Sequence, residues 1–351
     1  MSIIGCDLHS RYQVIAGVDK EGGEVVTRRL EHENGEAKAF YPGLAKPSLI
    51  GIEATAYTQW FEEMVKGLGH ELWVGDPAEI WARSVRRQVT DTRAAEHLLD
   101  LLRTKRFPRL WVASAEERDL RQLLKHRDKL VRMQTSVRNQ LHFLAMSQGV
   151  CRKKRLWSAK GRAELEALSL GPWASQRRKE LLELLDSLGP RIEELNQAVR
   201  VQAGQRWDCQ ELMNKVQGAG PVVSLAYVLT LGPVDRFPRS RKVVSFLGLN
   251  PSEHSSGGRQ RLGHISKQGN SMLRWLLVEA GQSAARFDPE LRRKYQRLKF
   301  RRGSQVAKVA LARHLAVRLY WTLRQAGSAT SPVPMSGSPG DSVEAARPSR
   351  S

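Results

Sequence analysis

The chain has 351 residues, 41% of them apolar and 26% charged, and 57 Lys and Arg against 36 Asp and Glu give it a formal net charge of +21. That length holds two modest domains and a connector, and so large a basic excess predicts a polyanionic partner. No apolar run reaches transmembrane length and no secretory signal opens the chain, so nucleic acid in a cytoplasmic, nucleoid-associated setting is expected rather than a membrane surface.

The first hundred residues read as a small α/β module. Ser2 to Asp7 is a short apolar strand ending in an acid, and Tyr12 to Val18 and Glu24 to Thr27 are the next two strands, split by the turn-forming Asp19-Lys20-Glu21-Gly22-Gly23. A helix over Gly35 to Leu44 follows. Ser48 to Glu53 repeats the apolar strand with a terminal carboxylate, helical spacing runs from Tyr57 to Leu68, and Glu71 to Val74 is a fifth strand. This is the element order of ribonuclease-H-like nucleases. It makes Asp7 and Glu53 the ends of neighbouring strands, while Asp91 starts a helix that extends to Lys105, where negative charge is well placed. Singly, each acid suits a turn or a helix start. Together, three converging carboxylates repel one another unless a hard divalent cation lies among them, and Mg²⁺ suits an all-oxygen set best.

Pro108 closes this module. A polar helix then runs from Ala115 to Met146 with a near-heptad apolar seam interrupted at Arg127 and Gln134. A second seam, Leu181, Leu185, Leu188, Ile192, Leu195 and Val199, alternates steps of four and three. Gly189-Pro190 cuts it, which predicts a kink or two consecutive helices. The seams fit either a hairpin within the chain or a coiled coil. Lys125, Arg127, Lys129, Arg132, Arg138 and Arg152 to Arg155 offer backbone contact to nucleic acid, and Trp157 and Trp173 either stack on bases or pack in a small core.

Gly218-Ala219-Gly220-Pro221 leads into an apolar helix over Val222 to Leu231. It is either an amide-lined phosphate contact or a tight loop feeding a core helix. Arg236, Arg239, Arg241 and Lys242 precede or enter a helix ending at Gly248 and read as contacts to a nucleic-acid backbone, with Asn270 and Arg274 at the next helix start. A dense basic patch spans Arg292 to Arg302, a last helix runs from about Gln305 to Gln325, and from Gly327 onward Ser, Pro and Gly predict a disordered tail. Cys6, Cys151 and Cys209 are isolated, which argues against zinc and for a reducing compartment, and no phosphate-binding Gly-x-x-x-x-Gly-Lys element is present.

One run concentrates chemistry: Gly248-Leu249-Asn250-Pro251-Ser252-Glu253-His254-Ser255-Ser256-Gly257-Gly258, closing on Ile265 to Asn270. A hydroxyl beside two glycines admits a nucleic-acid backbone closely, and Arg259, Arg261 and Lys267 offset the charge of a phosphate under attack. Ser-Gly loops are common turn material, so the run acquires weight only beside the upstream acids.

Those linked motifs, Gly5-Cys6-Asp7-Leu8-His9, Gly51-Ile52-Glu53-Ala54-Thr55, Thr90-Asp91-Thr92-Arg93 and the Gly248 to Asn270 run, resemble the insertion-sequence-110 family of transposases, described as bridge-RNA-guided recombinases, from Gly5 to about Arg324. The resemblance implies a RuvC-like (ribonuclease H fold) domain over 1–110 with four acids in a D-E-D-D pattern, a helical coiled-coil connector over 111–214 that also joins subunits, a mainly α transposase domain over 215–326 and a disordered 327–351. It implies a serine nucleophile, which falls on Ser256 with Ser255 as the alternative, and a covalent protein–DNA intermediate. It further implies Mg²⁺ on Asp7, Glu53 and Asp91, a homo-oligomer (dimer or tetramer) with a composite site, and a structured noncoding guide RNA pairing with donor and target DNA. His254 is a candidate general base.

The chain departs from the pattern at the fourth acid. Three residues after Asp91 stands Ala94, and Glu96 and Asp100 point away from Asp91. The departure predicts weakened metal binding and impaired cleavage. It leaves two competing expectations: a RuvC-like nuclease working through metal-activated water, and a catalytically silent nucleic-acid-binding relative.

Overall fold

The computed structural model describes residues 2–18, 23–84, 90–151, 155–253 and 261–330. The chain divides into two compact units, Met1–Val112 and Ala113–Ser351.

The first unit is built on a five-stranded sheet. Its elements are β1 (Ile3–Leu8), β2 (Tyr12–Val18), β3 (Val26–Glu31), α1 (Glu36–Phe40), β4 (Leu49–Glu53), α2 (Gln59–Gly67), β5 (Glu71–Gly75), α3 (Pro77–Ala82) and α4 (Asp91–Arg103). The strand order is β3-β2-β1-β4-β5. The first three strands pair antiparallel, β4 runs parallel to β1, and β5 runs parallel to β4. β3 starts two residues later than its apolar run suggests and extends through Arg28 and Arg29 to Glu31, because a strand at the sheet's edge tolerates charge on its exposed positions. The helix expected over Gly35 to Leu44 stops at Phe40 and gives way to a 3₁₀ turn at Tyr41–Gly43, where Pro42 interrupts the α-helical ladder.

Side-chain alternation splits the strands between two packed faces. Ile4, Cys6, Leu8, Ile50 and Ile52 pack with Tyr41, Phe61 and Val65 beneath α1 and α2. Opposite parity sends Val14, Ala16 and Val18 against Ala95 and Leu99 of α4. Gly5 shares that second face. A Cβ there would sit 2.2 Å from the Ala95 carbonyl oxygen and 2.4 Å from the Leu99 amide nitrogen, so α4 lies directly on the backbone of β1. At Gly51 and Gly75 side chains rather than helix backbone come close, those of Leu102 and Phe107 at the first and of Ile80 and Phe107 at the second.

The second unit contains α5 (Ala115–Ser147), α6 (Ala159–Glu166), α7 (Pro172–Gln205), α8 (Trp207–Lys215), α9 (Pro221–Leu231), α10 (Ser240–Phe246), β6 (Pro251–Glu253), β7 (Leu262–Ile265), α11 (Ser271–Phe287), α12 (Pro289–Arg302) and α13 (Ser304–Thr330). A capping box of Ser114 and Glu117 starts α5. The pairs Arg127–Asn196 and Arg177–Gln140 show that α5 and α7 lie antiparallel. Their apolar seams meet within this one chain, with Leu130, Val137, Leu141 and Ala145 against Leu182, Leu188 and Ile192, joined by Leu156 and Leu165.

α7 continues through Gly189-Pro190 as a single helix rather than breaking in two. Pro190 is exposed and removes one helical amide, while Leu188 and Ile192 on either side stay buried, so the packed seam carries the helix across the gap. Trp157 packs on this cluster beneath Arg138, whereas Trp173 is 81% exposed.

A larger core takes Leu120 and Leu124 from α5, Val199 and Ala203 from α7, most of α9, and one face each of α11 and α13. α9 is buried on every side from Val223 to Leu229, so Gly218 to Pro221 is the loop that feeds a core helix. The helix expected to end at Gln325 runs to Thr330, past the point where composition predicts disorder, since the small residues Ala326 to Ala329 are compatible with a helix once a packed one leads into them. The rest of the expected tail, 331–351, lies outside the described residues. So do Arg152, Lys153 and Lys154.

Candidate metal centre and serine-bearing loop

Strand parity decides which side chains of β1 and β4 face α4. Ile4 and Cys6 point one way, so Gly5 and Asp7 point the other. Parallel pairing aligns Gly5 with Gly51 and Cys6 with Ile52, which carries Glu53 to the same end and face as Asp7. Because Gly5 lets α4 lie against β1, the start of α4 comes to that same end. There Thr90 caps the helix with its hydroxyl accepting from the Arg93 amide, and Asp91 is the first helical residue.

His9, two residues past Asp7, joins the acids. Its Nε2 is 3.2 Å from Asp7 Oδ2 and 3.7 Å from Asp91 Oδ1. Donor atoms of Asp7, His9 and Asp91 all lie within 4.8 Å of one another, a spacing that fits a single cation. The Tyr12 hydroxyl donates to Asp91 Oδ2 at 2.8 Å and turns the other oxygen toward His9. Tyr12 also stacks on the His9 ring, with centroids 4.7 Å apart, and carries the Arg29 guanidinium 3.5 Å above its own ring.

The electrostatics fit a site built to hold positive charge. Burial pushes the Asp7 carboxyl up from its ordinary range, His9 opposes the shift, and the charge of Asp91 adds to it. Glu53 is raised by burial and then by the charges of Asp7 and Asp76. Its carboxylate thus shares the field of the site while standing outside the Asp7–His9–Asp91 triad. The Tyr12 hydroxyl is raised by its bond to Asp91. Ala94 sits in the first turn of α4, its amide bonded to the Thr90 carbonyl oxygen at 2.8 Å, and contributes no carboxylate.

Of the three acids expected from sequence, Asp7 and Asp91 are brought within bonding range of a common point and Glu53 is adjacent on the next strand. His9, Tyr12 and Asp76 were not singled out. Asp76 carried a readable signal, since Asp-Pro is a helix start. Its side chain accepts from the Ala78 and Glu79 amides to cap α3, a helix that the periodicity of the sequence does not announce.

The serine motif, expected as a loop, contains a two-stranded antiparallel sheet of β6 and β7. His254, Ser255, Ser256 and Arg259 lie outside the described residues. The ends of the motif are tied together: the Ser266 amide donates to Asn250 O at 2.8 Å and the Lys267 amide to Gly248 O at 3.2 Å. Gly248 and Gly269 have positive φ, and a Cβ on either would fall 2.3 Å from a backbone oxygen of the opposite end.

The expected nucleic-acid contacts divide into two groups. Arg239, Arg241, Lys242, Arg261 and Lys267 are exposed. Arg236, Asn270 and Arg274 serve the protein's own structure. Arg236 donates to Leu231 O at 2.7 Å and lies over Phe237 and Phe246. Asn270 caps α11 and bonds Thr230, and Arg274 donates to Leu247 O and Gln268 O. Burial lowers the guanidinium pKa of both arginines. Cys6 and Cys209 are buried free thiols, with Cys209 pushed up to about 12, and Cys151 is exposed. Among the described residues no helix is long and apolar enough to cross a membrane.

A mixed five-stranded sheet with acids gathered at one end, followed by a helical unit, is the architecture of a DEDD-type transposase. A family model described as a transposase, of the DEDD type in IS110 elements, matches residues 4–145, and one described as the transposase IS116/IS110/IS902 family matches residues 210–296. The chain belongs to the IS110 family of transposases, and its chemistry is DNA recombination. It is 29% identical to a probable family 20 transposase of Pseudomonas aeruginosa over 92% of this chain and 96% of that one. It is 26% identical to the transposase for insertion sequence element IS1111A of Coxiella burnetii, over 82% of this chain and 78% of that one. It is 23% identical to the transposase for insertion sequence element IS1328 of Yersinia enterocolitica, over 94% and 99%. The DEDD domain and the acidic cluster together indicate use of a divalent metal.

Proposed function

We propose that the protein is an RNA-guided site-specific DNA recombinase that breaks and rejoins strands through a serine nucleophile. The observation that carries this reading is the convergence of Asp7 and Asp91, with Glu53 on the neighbouring strand, in a chain of this family. Asp7, Glu53 and Asp91 hold Mg²⁺, as hard oxygen donors suit it. Bound there, the ion supplies charge neutralisation for the scissile phosphate and the departing oxygen.

The chain's own groups do the rest. The Ser256 hydroxyl attacks phosphorus in line, a Ser256 Oγ–P bond forms, and the bond from phosphorus to the 3′ oxygen breaks. The serine proton leaves to the solvent or to His254, and the 3′ oxygen departs and takes a proton from the solvent to become a hydroxyl. The product is a phosphoserine–DNA linkage, which the 3′ hydroxyl of another strand resolves by the reverse displacement. Arg259, Arg261 and Lys267 offset the charge that builds on the phosphate. The ties between Gly248 and Lys267 and between Asn250 and Ser266 hold the two flanks of the motif close together.

In this reading residues 1–110 and 215–326 supply the two halves of the site, from different copies of a dimer or tetramer, and 111–214 joins the copies. A structured noncoding RNA selects donor and target DNA. Without a carboxylate at Ala94 the metal is held more weakly and cleavage is slowed.

The test is Ser256→Ala with end-labelled DNA under Mg²⁺ or Mn²⁺. Loss of a denaturation-resistant protein–DNA adduct supports the serine mechanism. Undiminished cutting by the variant means metal-activated water is the nucleophile. Sequencing nucleic acid that co-purifies with the protein tests guidance: one recurrent structured RNA supports it, and random fragments oppose it.

A further inference from the structure

His9 has no place in the D-E-D-D pattern, yet its Nε2 lies within 4 Å of a carboxylate oxygen of both Asp7 and Asp91. Three donors from three places in the chain converge: the end of β1, the turn after it, and the start of α4. The ring is not free to swing. Tyr12 stacks on it with planes 29° apart, and the same tyrosine's hydroxyl fixes Asp91 through Oδ2, so that Oδ1 faces His9. The Arg29 guanidinium also lies over the Tyr12 ring. A histidine that only filled space would need neither a stacking partner nor two carboxylates within 4 Å of one nitrogen.

We infer that His9 is a direct metal ligand through Nε2, so that the site is a mixed nitrogen–oxygen centre rather than an all-carboxylate one. This rests on the metal reading above and deepens it. With its proton on Nδ1, the imidazole turns an Nε2 lone pair toward the space between Asp7 and Asp91. It supplies the fourth protein donor that Ala94 does not. Charge follows: three carboxylates and a neutral imidazole carry one negative charge fewer than four carboxylates. Imidazole is a good ligand for Mn²⁺, Co²⁺ or Zn²⁺ and a poor one for Mg²⁺, which prefers oxygen and its own waters. His9 therefore adds more to the affinity for a first-row transition ion than to the affinity for Mg²⁺.

The experiment uses the full chain with Mn²⁺ alone, read by pulsed electron paramagnetic resonance. Directly bound imidazole nitrogen gives a ¹⁴N hyperfine coupling on Mn²⁺ that carboxylates cannot give. The coupling is expected in the natural chain and absent in His9→Ala and His9→Asn. Equilibrium titrations are expected to show Mn²⁺ affinity falling about tenfold or more in both variants, since even groups that only orient a ligand cost about 10- to 100-fold. Mg²⁺ affinity should change far less, so the ratio of the two falls. Mn²⁺ bound without nitrogen coupling, or coupling that survives in both variants, overturns the role of His9 and leaves the metal centre standing. Failure of the natural chain to bind Mn²⁺ at all removes the centre and His9 with it. Unchanged circular dichroism separates either result from misfolding.

Discussion

Asp7 shows what a single side chain contributes when its neighbours share its charge. It sits half-buried, and its carboxyl is raised because folding strips water from it, with the charge of Asp91 adding to the effect. At neutral pH without a cation, an ionised Asp7 therefore costs the first unit stability. Asp7→Asn is expected to raise the melting temperature in chelator by a few degrees, the scale of about 1 kcal/mol in a domain of this size. Adding Mg²⁺ or Mn²⁺ should stabilise the natural chain and not the variant. A variant that melts lower in chelator and still responds to metal would mean that Asp7 is a structural acid. Ala94 makes the complementary case. Ala94→Asp is expected to tighten divalent binding at least severalfold and to raise cleavage in the same assay. No gain in either would show that His9 has made a fourth acid superfluous or that the site does not cut. Asp7 and Glu53 were legible in sequence because alternation and an apolar run fix where a strand's last carboxylate points. His9 was not, since its partner Asp91 is 82 positions away and only the close approach of α4 at Gly5 brings them together.

Single helices and hairpins followed local rules except where packing outvoted them. α5 began at its capping box as the sequence dictates, whereas α7 ignored Pro190 because two long seams bury Leu188 and Ile192 around it. β6 and β7 hid inside a Ser- and Gly-rich run whose composition signals a loop, with the Ser252 hydroxyl lying against Gly263. The junction of α12 and α13 rests on ions rather than apolar packing alone. Asp288 caps α12 by accepting from the Glu290 and Leu291 amides, and it bonds Arg318 of α13. The Arg318 guanidinium, with the capping amides, holds the Asp288 carboxyl below its ordinary value. Its contribution is therefore present above the ordinary carboxylate pKa and is lost as pH falls through the depressed one. Asp288→Asn should lower the melting temperature at pH 7, and the difference from the natural chain should close in the acid range as the pH falls through the depressed carboxyl pKa. A gap of constant size across that range would assign the loss to the cap's geometry rather than to charge.

Across the molecule, charge is distributed unequally. Residues 1–112 hold 15 Lys and Arg against 16 Asp and Glu, while residues 113–351 hold 42 against 20, so the whole basic excess belongs to the second unit. The unit that gathers the acids is nearly neutral, and the one that carries the serine segment is the one that attracts a polyanion. A strongly basic first unit would compete with a metal for its carboxylates, and this unit is not basic. A concentrated basic surface lies on α12, where Arg293, Arg297, Lys299, Arg301 and Arg302 are exposed beside Phe300, which is 94% exposed. Exposed arginines flanking an unpacked aromatic ring suit a single-stranded or looped nucleic acid, with phosphates on the guanidinium groups and a base on the ring. Replacing Arg297, Lys299, Arg301 and Arg302 together by alanine should weaken nucleic-acid binding at 0.1 M salt. It should also flatten the plot of log affinity against log salt by about 0.7 to 0.9 for each phosphate left without its cation. Phe300→Ala should weaken single-stranded binding by about 1 to 3 kcal/mol and leave that slope unchanged, since stacking releases no counterions. No loss from Phe300→Ala, together with equal flattening when four basic residues elsewhere in the second unit are replaced, would mean that α12 acts through the unit's overall field and not as a docking surface.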